Sequence, residues 1–225
     1  MTKSVEANHL TKTYTIDSRR ITILDDVNLC VNSGQFVVIE GKSGSGKSTL
    51  LSLLSGLDLP DSGTIKLDGT NITNLSEDAL APFRNQTIGY VFQSFHLIPS
   101  LTALENIMFP AELSQNTQAP GRAKQLLERV GLADRMHNFP HQLSGGEKQR
   151  AAICRALINR PRIIFADEPT GNLDSANGDI ILQLLLELRK ELQTTLILAT
   201  HSKEISTQAD QVVQLADGRI TPFTG

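Results

Sequence analysis

Residues 41–48 read GKSGSGKS and match the pattern G-x-x-x-x-G-K-[ST]. The apolar run FVVI at 36–39 comes before them, and the helical pattern TLLSLL at 49–54 comes after. This order of strand, glycine-rich loop and helix is the context that a phosphate-binding loop requires. Backbone N–H groups of such a loop, and the positive end of the helix, face phosphate oxygens. The sequence therefore predicts a nucleoside triphosphate site at this loop.

Side chains of the loop add charge and metal chemistry. We expect Lys47 to neutralise the outer phosphates and Ser48 to offer its hydroxyl to Mg²⁺. A glycine- and serine-rich turn could match the pattern by accident, but that alternative does not explain the strand and the helix on either side. The residues predicted to contact the nucleotide here are Gly41, Ser43, Gly44, Ser45, Gly46, Lys47, Ser48 and Thr49.

A second apolar run ends in two acids. Residues 163–166 read IIFA, and Asp167 and Glu168 follow directly. We expect Asp167 to hold Mg²⁺ through water and Glu168 to face the attacking water. Hydrolysis needs both, because the metal spreads phosphate charge while a separate carboxylate orients or deprotonates the nucleophile. Acids at strand ends are common, so Asp167 and Glu168 indicate hydrolysis only because a phosphate loop is also present.

Apolar runs alternate with helical patterns along the chain. A third buried strand is predicted at 196–199, and helical stripes are predicted at 123–130 and 180–192. Strands that alternate with helices indicate an α/β fold with a parallel sheet. The first thirty residues and residues 63–69 instead show period-two patterns, which predict a small antiparallel β region.

The chain is predicted to form one domain over residues 1–225, with a mostly helical subdomain at about 94–155. We expect prolines to separate the short helices of this region, because proline interrupts helical hydrogen bonding. These prolines are Pro99, Pro110, Pro120 and Pro140. No internal repeat and no long linker marks a second independent domain.

Composition argues against several classes of protein. With 225 residues, 40% of them hydrophobic, the chain is large enough to bury a core. Its 21 Lys and Arg are scattered among 24 Asp and Glu, and the formal net charge is −3. Because no basic block occurs, no nucleic-acid partner is expected.

Two further patterns bear on location. The N-terminus lacks the apolar run of a secretion signal, and no stretch is apolar enough to span a bilayer. Cys30 and Cys154 each lie among apolar neighbours, so we expect buried, reduced thiols rather than a disulfide. A cytoplasmic location follows as the expectation.

The run LSGGEKQR at 143–150 opens a predicted helix. Ser144 and Glu147 have the spacing of a capping box, in which each side chain bonds the other residue's backbone N–H. A capping box does not account for Gly145 and Gly146. Adjacent glycines lower helix propensity, but they let backbone amides approach a ligand closely.

Together these motifs resemble the ATP-binding cassette (ABC) ATPases, and the resemblance covers nearly the whole chain. Residues 41–48 stand as the family's Walker A motif, 163–168 as its Walker B motif and 143–147 as its signature motif. The resemblance implies the ABC ATPase fold, which combines a P-loop NTPase parallel-sheet core with an antiparallel β subdomain and an α-helical subdomain. It also implies that the nucleotide is ATP and that the chain hydrolyses it.

Four more positions follow in the family's order. The resemblance implies that Tyr14 stacks on adenine, Gln93 senses Mg²⁺ and the γ-phosphate, Asp174 communicates between sites, and His201 acts on the γ-phosphate with Glu168 as base. Three of these positions have a structural alternative: Tyr14 could be an ordinary strand tyrosine, Gln93 a glutamine at a strand end, and His201 a core histidine. Six motifs in the right order favour the family.

The resemblance also implies partners. In the family, two cassettes face head to tail, and each ATP lies between the Walker A motif of one and the signature helix of the other. A homodimer formed on ATP binding is therefore expected. Its γ-phosphate contacts across the interface would come from Ser144, Gly145, Gly146 and Glu147.

One branch of the family is closest in pattern. Residues 92–107 and 167–174 resemble bacterial ATPases for lipoprotein release, macrolide efflux and cell-division signalling. This implies a separate transmembrane permease subunit that docks near Gln93–Leu101, a peripheral position on the cytoplasmic face of the inner membrane, and export or extraction rather than import. The cargo is not readable, because substrate selection lies with the membrane subunit.

Two other classes of protein explain the sequence less well. An ABC ATPase acting on nucleic acid or in translation would carry either a long coiled coil between the Walker motifs or two cassettes in tandem. The segment between Gly41 and Asp167 contains no heptad run, and the motifs of a second cassette do not occur. A small-molecule kinase would use the same phosphate loop, but it does not explain residues 143–147. An ABC ATPase that powers a non-transport process, such as cell-division signalling, stays open as the alternative.

Overall fold

The computed structural model describes residues 2–221. The chain divides into two compact units, the first comprising Met1–Ala81 with Thr194–Gly225 and the second Pro82–Gln193. The strands of the first unit are β1 (Lys3–Ile16), β2 (Arg19–Asn32), β3 (Phe36–Glu40), β4 (Ser62–Leu67), β5 (Thr70–Asn71), β8 (Thr195–Thr200), β9 (Gln211–Ala216) and β10 (Arg219–Thr221), and its helices are α1 (Lys47–Leu54) and α7 (Lys203–Ser206).

The second unit is mainly helical. Its strands are β6 (Ile88–Val91) and β7 (Ile163–Asp167), and its helices are α3 (Ala103–Leu113), α4 (Ala119–Arg129), α5 (Gly145–Leu157) and α6 (Ser175–Leu192). Helix α2 (Glu77–Thr87) includes the point in the sequence where the first unit ends. Short 3₁₀ turns lie at Ala133–Arg135 and Pro140–Gln142.

Parallel pairing organises the strands that carry the predicted motifs. In the first unit β3 lies between β8 and β9 and is parallel to both, with Val38 opposite Leu198 and Val212. In the second unit β6 and β7 are parallel. All six residues of β8 and the first four of both β3 and β7 are buried. The strands predicted at 36–39, 163–166 and 196–199 are confirmed, and so is the parallel α/β class.

The antiparallel region is also confirmed. β1 lies between β2 and β4 and is antiparallel to both, and β4 continues into β5 through a tight turn. At this turn Asp68 and Gly69 have φ of +46° and +82°. Positive φ at both central positions is what a two-residue hairpin turn requires, and glycine adopts it without steric cost.

One of the two cysteine predictions is wrong. Cys30 is exposed. It lies on β2 between Leu29 and Val31, which are buried. Because side chains alternate between the two faces of a strand, apolar neighbours on both sides indicate the opposite face for Cys30. Cys154 is buried in α5 as predicted, and burial raises the pKa of its thiol to about 12.

Helix ends follow local signals, with one correction. Gly131, with φ of +69°, follows α4, Pro120 lies in the first turn of α4, and Pro140 starts a 3₁₀ turn. Pro110, predicted to separate helices, instead lies inside α3. Proline removes one helical hydrogen bond, the one that its own N–H would donate to the Asn106 carbonyl, and α3 continues for three residues beyond it.

The helices of the second unit share an apolar core. Ile107 of α3, Leu127 of α4 and Cys154 of α5 are fully buried within one cluster, and Leu97 packs against it. No helix among residues 2–221 is both long and apolar enough to cross a bilayer.

Asn106 is a buried polar residue in this core. Its Oδ1 accepts a hydrogen bond from the Ile98 N–H at 2.7 Å. Its Nδ2 lies within bonding distance of the carbonyl oxygens of Ile98, Leu101 and Thr102, at 2.9–3.1 Å. Asn106 therefore fixes residues 98–102 to the first turn of α3.

Replacing Asn106 with Leu is expected to destabilise the protein by about 2–4 kcal/mol, because the Ile98 N–H loses its acceptor and a similar apolar volume excludes water. Urea unfolding followed by circular dichroism measures the change. The exposed Glu112 on the same helix is the control. Glu112→Ala should shift the free energy of unfolding by about 0.5 kcal/mol or less. Equal effects of the two variants would contradict the role given to Asn106.

Candidate functional site

The phosphate loop joins the carboxyl end of β3 to the start of α1. Gly46 is the N-cap of α1, with φ of +103°, and no side chain caps this helix start. Lys47 is buried, and its Nζ donates to the carbonyl oxygens of Gly41 at 2.9 Å and Lys42 at 3.1 Å. A buried ammonium and the amides of a helix start together form a positively polarised concave surface.

Gly41 has no room for a side chain. A Cβ atom there would lie 2.4 Å from the Leu215 carbonyl oxygen and 2.5 Å from Ser45 Oγ. The Ser45 hydroxyl is itself buried and has no hydrogen-bond partner among the described residues. A buried hydroxyl without a partner costs free energy, so this group suits a polar ligand such as a phosphate oxygen.

A cavity of about 560 Å³ opens at this loop. Residues 40–45 line it together with His201, Lys203 and residues 214–217. The predicted His201 is exposed and lies on the same cavity as the predicted loop residues. Lys203 was missed by sequence reasoning, although a lysine two residues after His201, at the first position of a helix, could have suggested a second cation.

Tyr14 of β1 is held in a defined environment. It is 38% exposed, and its hydroxyl donates to Asp58 Oδ2 at 2.7 Å. Thr49, at the start of α1, is a further hydrogen-bond partner of the phenol. Partial burial and the bond to Asp58 raise the pKa of Tyr14 to about 12, so the ring is neutral at physiological pH.

Asp167 and Glu168 lie at the carboxyl end of β7 in the second unit. Glu168 has φ of +41°, a conformation that non-glycine residues seldom adopt and that is concentrated at functional sites. Pro169, the next residue, accepts a hydrogen bond through its carbonyl oxygen from Gln149 Nε2 at 2.7 Å. Gln149 is fully buried in α5, so this helix holds the turn that carries Glu168.

Gln93 lies against Gly171 and Asn172, where the segment 172–174 begins that the resemblance identifies as the D-loop. Asn172 Nδ2 donates to the Gln93 carbonyl oxygen at 2.9 Å. A Cβ atom on Gly171 would lie 2.8 Å from Gln93 Nε2, so a larger residue there would require the end of the Gln93 side chain to shift. The structure brings these two predicted elements together within the second unit.

Ser144 and Glu147 form the predicted capping box at the start of α5. The Ser144 Oγ accepts from the Glu147 N–H at 3.3 Å, and the Glu147 carboxylate accepts from the Ser144 N–H at 2.7 Å. That second bond is the main reason that the pKa of Glu147 lies below its ordinary value. Arg135 adds an ion pair to Glu147 at 3.5 Å.

Packing supplies a further reason for the two glycines of this motif. A Cβ atom on Gly146 would lie 3.0 Å from Asn177 Oδ1, and one on Gly145 would lie 3.3 Å from Leu173 Cδ2. The D-loop therefore lies close to the backbone of the signature motif. Asn177 was missed from the sequence.

Asp174 is the N-cap of α6. Its carboxylate accepts from the Asn177 N–H at 3.0 Å and from Asn177 Nδ2 at 2.7 Å. These bonds lower the pKa of Asp174. Its carboxylate is engaged in its own helix start and is therefore fixed in position.

The predicted residues thus fall into two groups. The first unit contains Tyr14, residues 41–49 and His201, and the second unit contains the others, which are Gln93, Ser144, Gly145, Gly146, Glu147, Asp167, Glu168 and Asp174.

A parallel sheet with a glycine-rich loop between β3 and α1 defines a P-loop nucleotide-binding protein. The ABC transporter family matches this chain over residues 24–171. The chain belongs to that family: it is an ABC-type ATPase, the ATP-binding and ATP-hydrolysing subunit of an ABC transporter. The resemblance inferred from the motifs is confirmed.

Relatives span nearly the whole chain. The uncharacterized ABC transporter ATP-binding protein YbbA of Escherichia coli K12 is 46% identical over 218 residues, which cover 96% of each protein. The lipoprotein-releasing system ATP-binding protein LolD of Xanthomonas campestris is 44% identical over 218 residues, which cover 96% of this chain and 91% of LolD.

Solved structures share the fold. The dimeric ATP-binding cassette MJ0796, in a post-hydrolysis state bound to ADP and Pi, matches with a TM-score of 0.89 and 41% sequence identity over 97% of both chains. The predicted ABC ATPase fold is thereby confirmed.

We expect Gly41→Ala to weaken ATP binding at least about tenfold, because the new Cβ displaces the Leu215 carbonyl or Ser45 and so deforms the loop. Isothermal titration calorimetry measures the affinity. Gly34→Ala is the control, since Gly34 has φ of +77° and nothing within 4 Å of a Cβ atom. That variant should cost about 1 kcal/mol of stability and leave ATP affinity unchanged. Unaltered ATP affinity in Gly41→Ala would contradict the tight fit of this loop.

Proposed function

We propose that two copies of this chain close on ATP and drive a separate membrane-spanning subunit in export or extraction. The observation that carries the proposal is the start of α5, where Ser144, Gly145 and Gly146 form a capped, glycine-rich helix N-terminus. This is a second anion-binding element, distinct in the chain from the phosphate loop. The dimeric relative bound to ADP and Pi supports the arrangement.

The capping box leaves phosphate-binding capacity at this helix start. Ser144 Oγ accepts from the Glu147 N–H, so the hydroxyl proton stays available to donate to a γ-phosphate. The N–H groups of Gly145 and Gly146 belong to the first turn of the helix, where backbone donors have no partner within the helix. In the proposed dimer this surface contacts the γ-phosphate held by the partner's phosphate loop, so hydrolysis removes an anion from the interface and releases it.

Roles in hydrolysis are assigned to residues of the motifs. Glu168 acts as base toward water, Lys47 and His201 bind the γ-phosphate, and Asp174 links the two sites. Mg²⁺ would neutralise phosphate charge. The hydroxyl of Ser48, the amide oxygen of Gln93 and the carboxylate of Asp167 would hold it, and oxygen donors of these kinds fit the cation.

We expect Glu168→Gln to retain ATP binding, to slow turnover by a factor of about 100 or more, and to accumulate an ATP-dependent dimer, because the amide cannot accept the proton of water. Size-exclusion chromatography with light scattering measures the dimer.

A second substitution separates dimer closure from nucleotide binding. In the Glu168→Gln background, Ser144→Arg should stay monomeric with ATP and still bind it, because a long cation replaces the small hydroxyl at the interface. Normal turnover in Glu168→Gln would refute the assignment of the base. Loss of ATP binding by monomeric Ser144→Arg would show that the signature helix serves the same chain's nucleotide.

The proposed docking segment for the membrane subunit is Gln93–Leu101. Ser94, His96, Pro99 and Ser100 are exposed there, whereas Leu97 packs on the core of the second unit. Phe95 and His96 have φ of +61° and +47°. The Arg155 guanidinium donates to both of their carbonyl oxygens and so holds the segment in this conformation.

An adjacent cavity gives the docking segment a shaped surface. Its volume is about 210 Å³, and its lining includes Tyr90, Phe92, His96 and Arg155. The rings of Phe92 and Tyr90 stack with centroids 4.1 Å apart, and that of His96 lies 4.6 Å from that of Phe92. A half-buried aromatic surface beside exposed polar residues supports a groove for a short helix of the partner.

We expect His96→Asp to lower recovery of the membrane subunit about tenfold or more in affinity purification from detergent-extracted membranes of the source organism, because a carboxylate enters an apolar interface. Recovery is measured by quantitative mass spectrometry of multi-span membrane proteins. The ATPase rate of the purified chain should not change. Gln125→Asp, at an exposed position on α4, is the control. Equal recovery with both variants would rule out docking at this segment.

One relative is named as part of a lipoprotein-releasing system, and that name favours export or extraction over import. The chain would then work at the cytoplasmic face of the inner membrane. Cell-division signalling is the alternative within the same branch. The two share the ATPase cycle and differ in the membrane subunit.

A further inference from the structure

Tyr14 is surrounded by a network that the predicted site does not include. Its hydroxyl bonds one carboxylate oxygen of Asp58, and Lys12 Nζ bonds the other at 2.8 Å. Lys12 Nζ also lies 5.0 Å from the centroid of the Tyr14 ring, a cation–π distance. Lys12, Asp58 and Tyr14 therefore form a closed triangle of contacts.

Lys12 is unusual because it is buried, with 8% of its surface exposed. The pairing register of β1 with β2 is interrupted on both sides of Lys12. Such irregularities turn a side chain away from the regular alternation of a strand. A buried ammonium is costly unless it is paired, and here Asp58 and the Leu59 carbonyl oxygen, at 2.7 Å, satisfy it.

The Asp58 carboxylate is fixed from several sides. The Leu59 N–H donates to its Oδ1 at 2.7 Å, in addition to the bonds from Lys12 and Tyr14. Burial alone would raise the pKa of Asp58, but the bonds from Lys12 and Tyr14 hold it below its ordinary value. Asp61 also accepts from the Thr13 N–H at 2.7 Å. Residues 58–61 are thus fixed to β1 beside Tyr14.

Both ends of the Tyr14 side chain are consequently constrained. The strand fixes its backbone, and Asp58 fixes its hydroxyl. The buried Lys12 lies over one face of the ring, which directs the exposed part of the ring to solvent. An aromatic ring held in this way loses little conformational entropy when a base stacks on it.

We propose that Lys12 and Asp58 are positioning residues for the nucleobase: they hold the Tyr14 ring as a rigid platform and so set the affinity for the base, without acting on the phosphates. This inference rests on the stacking of adenine on Tyr14 that the resemblance to the ABC ATPases implies. It adds two residues that no motif of the sequence identifies.

The test is steady-state ATPase kinetics of the full chain, with inorganic tripolyphosphate as a competitor that has no base. Lys12→Met should raise KM for ATP about five- to tenfold, because the ring loses its support and base stacking weakens. kcat and the inhibition constant of tripolyphosphate should change less than about twofold, since neither depends on the base. Lys66→Met, at an exposed position on β4, is the matched control and should leave KM unchanged.

A double-mutant cycle connects the effect to the ring. Tyr14→Ala should raise KM at least as much as Lys12→Met, and adding Lys12→Met to Tyr14→Ala should have no further effect. Additive effects, or parallel changes in kcat and tripolyphosphate inhibition, would assign Lys12 a structural role only and overturn the inference.

Two outcomes separate this inference from the stacking on Tyr14 on which it rests. If Tyr14→Ala raises KM and Lys12→Met does not, the inference fails and the base platform stands. If Tyr14→Ala itself leaves KM unchanged, stacking on Tyr14 fails as well. Tyr14→Phe removes the hydroxyl, with its bonds to Asp58 and Thr49, and keeps the ring. It therefore tests the same point if Lys12→Met does not fold. It should raise KM about two- to threefold.

Discussion

The Lys47 ammonium is buried against the carbonyl oxygens of Gly41 and Lys42. An ammonium held at this loop by two carbonyl oxygens is placed where an anion bound by the loop would meet its positive charge. Much of the first unit holds the phosphate loop in place. The parallel strands on either side of β3 fix the loop's entry, and the Leu215 carbonyl beside Gly41 keeps the loop closed against the sheet. The phosphate site is therefore a property of the sheet and the loop together.

The start of α5 is also a helix N-terminus that is predicted to face phosphate, but unlike the start of α1 it is capped by side chains. At α1 no side chain caps the helix, whereas at α5 Ser144 and Glu147 satisfy one backbone donor each. The capping box keeps this helix start ordered without a ligand, and the small Gly145 and Gly146 admit the D-loop on one side. An ordered helix start whose N-cap residue, Ser144, is exposed suits a surface that must meet a phosphate presented by another molecule.

Local features were predictable from the sequence, and contacts between distant residues were not. Buried strands, the hairpin turn at Asp68–Gly69 and the capping box depend on residues a few positions apart, so pattern and propensity reveal them. The bond from Lys12 to Asp58 joins residues 46 positions apart, and no local pattern indicates it. Cys30 was misjudged because apolar neighbours were counted without regard to alternation.

Two strained turns of the second unit depend on a single helix. Glu168 has positive φ, and so do Phe95 and His96. Such conformations cost free energy and persist only where the surroundings hold them. Gln149 bonds the carbonyl after Glu168, and Arg155 bonds those of Phe95 and His96. Both side chains belong to α5, which begins with the signature motif. A displacement of α5 therefore alters the support of the proposed catalytic turn and of the proposed docking segment at the same time.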